Sequence, residues 1–236
     1  MNPLSGVLSE SWDLYRKHAP HFLVISFVVY LVVAALTALL SAVLGRFGGF
    51  LGEVLTVFGM FLLQAALVKA VQDVRDGRAD LDIRQTLSAV MPSVAPVAGA
   101  SILASIAIGI GFALIIVPGL ILATFLSLIV PCIVVGRTAA LSSFGRSWRT
   151  VSGNGWHVSG TYVVTFLVLI VANIVIGAIL SFLPSAASSF IAEVVAGTLV
   201  TTFIAIIVTL VYYRLTAARG ESPEPGPASA SPWDQV

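Results

Sequence analysis

Long uncharged apolar segments alternate with short polar ones along this chain. The segment from Phe22 to Leu44 has 23 residues and contains no Asp, Glu, Lys or Arg. A helix needs about 20 residues to cross the hydrocarbon layer of a bilayer. This segment exceeds the roughly 7–15 apolar residues of a secretory signal, so we expect it to remain as the first span. The pattern predicts an all-α, polytopic membrane protein.

We predict six transmembrane helices within a membrane domain of residues 1–216. They cover about 22–44, 50–71, 97–116, 120–136, 158–182 and 194–213. Gly45, Gly48, Gly49 and Gly52 are expected to form a loop between the first two spans. Between Arg84 and Arg137 the chain has no charge and would be about 78 Å long as one straight helix, so it must fold back. Pro118-Gly119 is the expected turn, because Pro presets φ and Gly tolerates a positive φ.

The composition changes after Thr216 to Ala, Ser, Pro, Glu and Gly. Four prolines, at positions 223, 225, 227 and 232, fall in the last fourteen residues. Such a segment buries too little apolar surface to offset the entropy of ordering it. We therefore predict that residues 217–236 form a disordered cytoplasmic tail.

Basic residues fall almost entirely on one side of the predicted spans. That side holds Arg16, Lys17, Lys69, Arg75, Arg78, Arg84, Arg137, Arg146, Arg149, Arg214 and Arg219. The other side holds Arg46 alone. Because Lys and Arg in short loops resist translocation, this asymmetry predicts that both termini are cytoplasmic.

The stretch at the N-terminus is repeated 136 residues later. The repeat pairs Leu8 with Phe144, Ser11 with Ser147, Trp12 with Trp148, Tyr15 with Val151 and His21 with His157. A weaker match, 75 residues from the first, places Ile83, Leu87 and Val90 on Leu8, Trp12 and Tyr15. The apolar residues fall on one helical face. The pattern predicts three helical hairpins, each preceded by a short cytoplasmic interfacial helix, although chance matches are common in so apolar a chain.

The composition narrows the function classes. Hydrophobic residues make up 58% of the chain, charged residues 10%, and the mean hydropathy is +1.04. The net charge is +1 and no block is basic enough to bind nucleic acid. A single cysteine, Cys132, allows neither a disulfide within the chain nor a cysteine metal site. Ten of the twelve basic residues are Arg, which indicates a GC-rich bacterial source.

Few side chains are candidates for chemistry. We find no Ser/His/Asp or Cys/His set and no phosphate-binding glycine loop followed by Lys, so we expect no catalytic residue, metal or cofactor. His21 and His157 are expected to be interfacial. Gln64 and Asn173 are the candidate intramembrane polar residues, which either mark a substrate path or hydrogen-bond neighbouring helices.

The predicted interfacial segments carry aromatic and basic side chains together. The candidate lipid-contacting residues are Trp12, Arg16, Lys17, Arg146, Trp148 and Arg149. Anionic headgroups attract such a surface, with each basic residue contributing about 1 kcal/mol. The alternative is plain anchoring of the helices at the correct depth. The lipid bilayer, and anionic lipid within it, is therefore the expected partner, while protein partners stay open.

One part of the sequence resembles a known family. Arg146-Ser147-Trp148, followed by Gly153 and Trp156, enters an apolar span after Val117-Pro118-Gly119 and the run ending Ile129-Val130-Pro131. From about residue 80 to 182 this pattern resembles the bacterial multi-pass family known as the glycerophosphodiester phosphodiesterase membrane domain and its YciC-like relatives. The resemblance implies a six-helix integral membrane protein. It does not imply the catalytic domain fused to some members, for which this chain has no room.

These observations favour a non-enzymatic protein of the bacterial inner membrane. Its expected role is to organise, sense or regulate through lipid or protein contacts. The alternative is a small transporter or channel with a polar pathway near Gln64 and Asn173. An intramembrane enzyme would require acid, base or metal ligands drawn from separate spans.

Overall fold

The structure is a computed structural model that describes residues 4–76, 83–180 and 185–223. These residues form seven helices and no strand: α1 Val7–Arg75, α2 Ile83–Leu114, α3 Ile116–Leu126, α4 Ile129–Val134, α5 Ala140–Val151, α6 Gly155–Leu180 and α7 Ser185–Ala218. The predicted all-α class is confirmed.

Five segments of the described chain are long and apolar enough to cross a membrane. They are Val7–Arg75, Arg84–Leu114, Ile116–Val134, Gly155–Val175 and Thr198–Ala218. The first of them is 69 residues long, more than three times the length of a single span. It contains both of the first two predicted spans, 22–44 and 50–71. The count of six spans stays a prediction.

Helix α1 folds back on itself at Gly45. This residue has φ 57° and ψ −133°, a conformation that residues with a side chain rarely adopt. Between the two arms, Thr37 Oγ1 before the reversal donates a hydrogen bond to the Gly52 carbonyl oxygen after it, at 3.3 Å. A Cβ atom on Gly52 would lie 2.5 Å from Thr37 Cγ2, and one on Gly59 would lie 2.5 Å from Val33 Cγ2. The glycines therefore let the two arms of α1 pack closely.

The predicted glycine loop is therefore wrong. Gly45 alone forms the reversal, and the chain is helical again directly after it. Gly48 and Gly52 are buried between the arms. A Cβ atom on Gly48 would overlap the Leu40 carbonyl group. These glycines serve close packing rather than a flexible connection.

The second reversal lies at Ile115 and not at Pro118-Gly119, so that prediction is wrong. Ile115 is extended, with φ −161° and ψ 150°, between α2 and α3. Pro118 stands in the first turn of α3, where its missing N–H costs no helical hydrogen bond. Gly119 packs against Phe112, whose Cγ would lie 2.5 Å from an added Cβ atom. The Pro-Gly pair starts a helix and allows a close contact instead of forming the turn.

The fourth predicted span, 120–136, is broken into α3 and α4. The break occurs at Ser127 and Leu128, immediately before α4 begins at Ile129. Pro131 explains its position, because a proline lacks the N–H that would bond the carbonyl four residues earlier and its ring clashes with that carbonyl. That carbonyl belongs to Ser127.

The most extensive contact between elements joins α1 and α7. Ser26 and Thr202 are hydrogen-bonded through their hydroxyl oxygens at 2.8 Å, and Tyr30 and Thr201 at 3.1 Å. The largest fully buried side chains include Phe22, Ile25, Leu63, Leu67, Leu128, Ile206, Leu210 and Tyr212. By contrast, α6 exposes many of its large apolar side chains. An apolar surface of this kind suits a helix that faces lipid.

The predicted disordered tail is partly wrong. Residues 217 and 218 belong to α7. Pro223 packs back onto the bundle, where its carbonyl oxygen accepts a hydrogen bond from the Tyr212 hydroxyl at 2.9 Å. Arg219 donates to the Ser152 carbonyl oxygen. The remainder of the predicted tail, 224–236, lies outside the described residues.

Candidate functional site

The ends of α1, α5 and α7 meet at one end of the bundle, which we call the charged end. Arg214 in α7 donates from Nε to a carboxylate oxygen of Glu10 in α1 at 3.1 Å. The Arg75 guanidinium lies 4.2 Å from the centre of the Tyr213 ring. Because residues 10 and 75 of α1 both contact the end of α7, the Gly45 reversal lies at the opposite end.

The candidate basic residues at the charged end have different surroundings. Arg16, Lys17 and Arg149 are exposed. Arg146 is half-buried and donates to the carbonyl oxygens of Gly136 at 3.1 Å and Pro223 at 3.4 Å. Its guanidinium also lies 5.9 Å from the centre of the Tyr212 ring. Arg146 therefore links α5 to the segments at Gly136 and Pro223, whereas the other three cations face outward.

The candidate tryptophans lie on the outer surface and contact aromatic rings. Trp12 is 51% exposed and stacks on Tyr15, with ring centroids 6.0 Å apart. Trp148 is 44% exposed and packs 4.3 Å from the Phe125 ring centroid. Trp156, at the start of α6, is 87% exposed. Trp156 was not among the predicted interfacial residues, although its place just before an apolar run was the available signal.

An apolar groove lies between α3 and the start of α6, beside Trp148. Its volume is about 570 Å³. The lining residues are Val117, Leu120, Ile121, Thr124, Phe125, Gly153, Gly155, Trp156 and Ser159. A Cβ atom on Gly155 would approach the Phe125 ring to 3.2 Å, so the glycine keeps the two helices close at this end of the groove. The groove thus runs from the charged end along the apolar surface.

Gln64, one of the two intramembrane candidates, borders a separate cavity of about 220 Å³. The cavity also exposes the side chains of Tyr30, Ser127 and Thr201. The Tyr162 hydroxyl donates to Ser127 Oγ at 3.0 Å. The structure therefore groups hydroxyl and amide side chains from α1, α6, α7 and the break between α3 and α4.

Asn173, the other intramembrane candidate, does not join this group. It is exposed on α6, and its Nδ2 donates to the Leu169 carbonyl oxygen of the same helix at 2.9 Å. It is absent from the residues that border the cavity at Gln64. The structure therefore does not bring the two candidates together.

His21 and His157 also differ. His21 is 8% exposed, and its burial lowers its pKa below the usual 6.5. Nearby His18 lowers the pKa of His21 further, while Asp73 opposes the shift. His157 is exposed. Among the described residues, no group of three or more His, Cys, Asp or Glu side chains is placed to hold a metal ion.

Comparison with known proteins identifies a family. Residues 81–219 match the family described as a domain of unknown function (DUF7847). Neither the curated proteins nor the solved structures include a match. The matched region is more than half of the chain and extends from the start of α2 to the end of α7. The chain belongs to this family of unknown function.

Proposed function

We propose that this protein is a six-span integral membrane protein of a bacterial cell membrane with both termini in the cytoplasm. Its role is non-enzymatic: it organises, senses or regulates within the membrane through lipid or protein contacts at the charged end. The single observation that carries this proposal is the outward-facing set of Arg16, Lys17 and Arg149 beside Trp12 and Trp148.

The chemistry of this set suits the headgroup region. Tryptophan prefers the membrane interface, because its ring is apolar and its N–H is polar. Exposed Lys and Arg at the same depth attract anionic headgroups. The apolar groove beside Trp148 would accept part of an acyl chain next to a bound headgroup. The charged end thus combines the two elements that recognition of an anionic lipid requires.

The distribution of charge supports the proposed orientation. Arg75 lies against the Tyr213 ring and Arg146 against the Tyr212 ring, whereas Arg46 follows the Gly45 reversal. With Gly45 on the outer side, the basic residues lie in the cytoplasm, as the positive-inside rule requires. The resemblance to the glycerophosphodiester phosphodiesterase membrane domain agrees with this topology and stays a prediction.

Quenching of tryptophan fluorescence by brominated lipids tests the proposal. The full chain, carrying Trp233→Phe, is reconstituted with brominated phosphatidylglycerol or brominated phosphatidylcholine, and the relative binding constants are measured. We expect a preference for phosphatidylglycerol. Replacing Arg16, Lys17 and Arg149 together with Gln should reduce this preference at least about fivefold, the effect of losing about 1 kcal/mol.

The matched control is Arg46→Gln, which removes an exposed cation from the opposite end. It should leave the lipid preference unchanged. An unchanged preference in the triple variant, or an equal loss in Arg46→Gln, would overturn the proposed contact. We leave Arg146 intact in this test, because its bonds to Gly136 and Pro223 make it part of the packing.

The second candidate function is a small transporter or channel. The observation that favours it is the helix break at Ser127, which borders the cavity at Gln64. Discontinuous helices border the substrate sites of many transporters. A pathway through both Gln64 and Asn173 predicts that cysteines placed at each position, in a Cys132→Ser background, react with a membrane-impermeant thiol reagent. Protection of either position would exclude that pathway.

A further inference from the structure

The cavity at Gln64 is built from four separate segments of the chain. Both arms of α1, the junction of α3 and α4, and α7 contribute side chains to it. The lining residues are Tyr30, Met60, Leu63, Gln64, Val68, Ser127, Val130, Thr201, Ile204, Ala205 and Val208. None of them carries a charge. The lining is therefore mostly aliphatic, with a few polar groups that converge on one space, as in small-molecule sites.

The polar groups in this lining differ in whether they already have a hydrogen-bond partner. Tyr30 and Thr201 are hydrogen-bonded to each other at 3.1 Å, and Ser127 Oγ donates to the Thr124 carbonyl oxygen at 2.8 Å. The Gln64 amide forms no hydrogen bond with any other described residue. An amide has two donors and one acceptor, and in the proposed six-span arrangement, on which this inference rests, the hydrocarbon layer supplies no water to pair them. Gln64 therefore has unused hydrogen-bonding capacity beside the cavity.

The size and charge of the cavity restrict what it can hold. A cavity of about 150 Å³ accommodates a benzene-sized molecule, so about 220 Å³ accommodates a somewhat larger ring or a glycerol-sized group. A whole lipid is too large. An ionised headgroup would lose its hydration without gaining a counter-charge. The cavity consequently suits a neutral head.

The cavity opens sideways toward the surface of the bundle. Gln64 is exposed, Met60 is 50% exposed, and Ile204 is also exposed. In a chain that spans the bilayer, this side faces lipid. A molecule could therefore insert its head from the membrane while its tail stays among the acyl chains.

We infer that this cavity binds the head of a neutral, membrane-soluble amphiphile whose hydroxyl or carbonyl oxygen pairs with the Gln64 amide. Diacylglycerol and isoprenoid-type quinones share this chemistry. The inference goes beyond the proposed contact with anionic lipid, which concerns the charged end.

Native mass spectrometry of the full chain in phosphatidylcholine nanodiscs tests the inference. The probes are dioleoylglycerol and decylubiquinone, with phosphatidylglycerol as the charged comparison. We expect one or both neutral probes to bind and Gln64→Leu, which keeps the size of the side chain, to weaken that binding at least tenfold. Thr201→Val, which removes a second polar group from the lining while keeping the shape of the side chain, should weaken it about threefold.

Asn173→Leu is the matched control, because it removes an amide of similar exposure outside this cavity. It should leave binding within twofold of the wild type. Binding of only one neutral probe identifies the source of the ligand and supports the inference. Binding of neither probe, equal binding by Gln64→Leu, or equal loss in Asn173→Leu would overturn it. The binding of the neutral probes does not depend on the basic residues at the charged end. A failure of this inference is therefore distinguishable from a failure of the proposed contact with anionic lipid.

Discussion

The two segments that carry the Ser-Trp pair have similar burial but different partners. Ser11 and Ser147 are both 0% exposed, whereas Trp12 and Trp148 both face outward. Ser11 Oγ donates to Val7 of its own helix at 2.7 Å, while Ser147 Oγ reaches Phe125 of another helix at 2.6 Å. A shared pattern of small and aromatic residues thus determines which face is buried, but it does not determine what that face contacts.

The connections from these two segments to the helical residues that follow them differ as well. In α1 the first segment continues through a kink at His18, with φ −118° and ψ 18°, followed by Pro20. Proline inside a helix removes a hydrogen bond and kinks the helix without necessarily ending it. After α5 the chain leaves the helix at Ser152, and Gly153 has φ 85°. The copy at Ser147 is therefore a separate helix, α5, whereas the copy at Ser11 continues through the kink within α1. The interfacial placement of both segments stays a prediction.

Bulky substitutions at the two buried serines test the shared burial most strongly. Ser11→Leu and Ser147→Leu should each lower the free energy of unfolding by about 1–3 kcal/mol, because they overpack a closed site. Titration with SDS, followed by circular dichroism, measures the change. Ser142→Leu, on the exposed face of α5, is the control and should change little. Tolerance of leucine at only one serine would show that the two buried faces are not equivalent.

Alanine at the same serines tests the difference in partners and should have a smaller effect. Ser147→Ala removes the bond between α5 and Phe125, and we expect a loss of about 1 kcal/mol. Ser11→Ala should cost less than half as much, because Ser11 bonds only a carbonyl of its own helix turn. The same SDS titration compares the two variants. Equal losses would contradict the distinction between a bond to another helix and a bond within one.

Substitution of His21, which the repeat aligns with His157, should give the smallest effect on stability. Since burial lowers the pKa of His21, the unfolded chain takes up a proton before the native protein as the pH falls below 6.5. The stabilisation by neutral His21 is therefore complete above pH 6.5 and is lost as the pH falls toward the lowered pKa. Between about pH 7.5 and 5.5, the unfolding temperature should fall by about 1–2 °C more in the wild type than in His21→Gln.

His157→Gln is the control for this prediction, because His157 occupies the matching position of the repeat but is exposed. Its pH dependence should follow that of the wild type. An identical decrease in the wild type and in His21→Gln would mean that His21 does not contribute to the pH dependence of stability.

The helical class was predictable because apolar runs of this length and composition suit few other structures in a chain with so little charge. The position of the second reversal was not predictable from the sequence. Ile115 carries no turn signal, and its extended conformation accompanies the close packing of Gly119 on Phe112. Local residue preferences favoured Pro118-Gly119, but contacts between two helices determined where the chain turned.

The candidate site was predictable only in part. Gln64 stood out because an amide is conspicuous in an apolar run, yet the partners around it are separated from it by long stretches of sequence. Tyr30, Ser127 and Thr201 resemble many other hydroxyl residues in these helices until the fold groups them. Similarly, nothing local distinguished Arg146 from Arg149. Only the positions of the Gly136 and Pro223 carbonyl oxygens in the fold show that Arg146 is a packing residue and that Arg149 is not.

The one-residue reversal at Gly45 has a consequence for biosynthesis. If α1 crosses the bilayer twice, the nascent chain has almost no hydrophilic segment to export between the crossings, and Arg46 is its nearest charged residue. Its two arms already pair through glycine contacts, so they can leave the translocation machinery together as a preassembled unit. Very little of this region would then protrude from the far side as a target for proteases or antibodies.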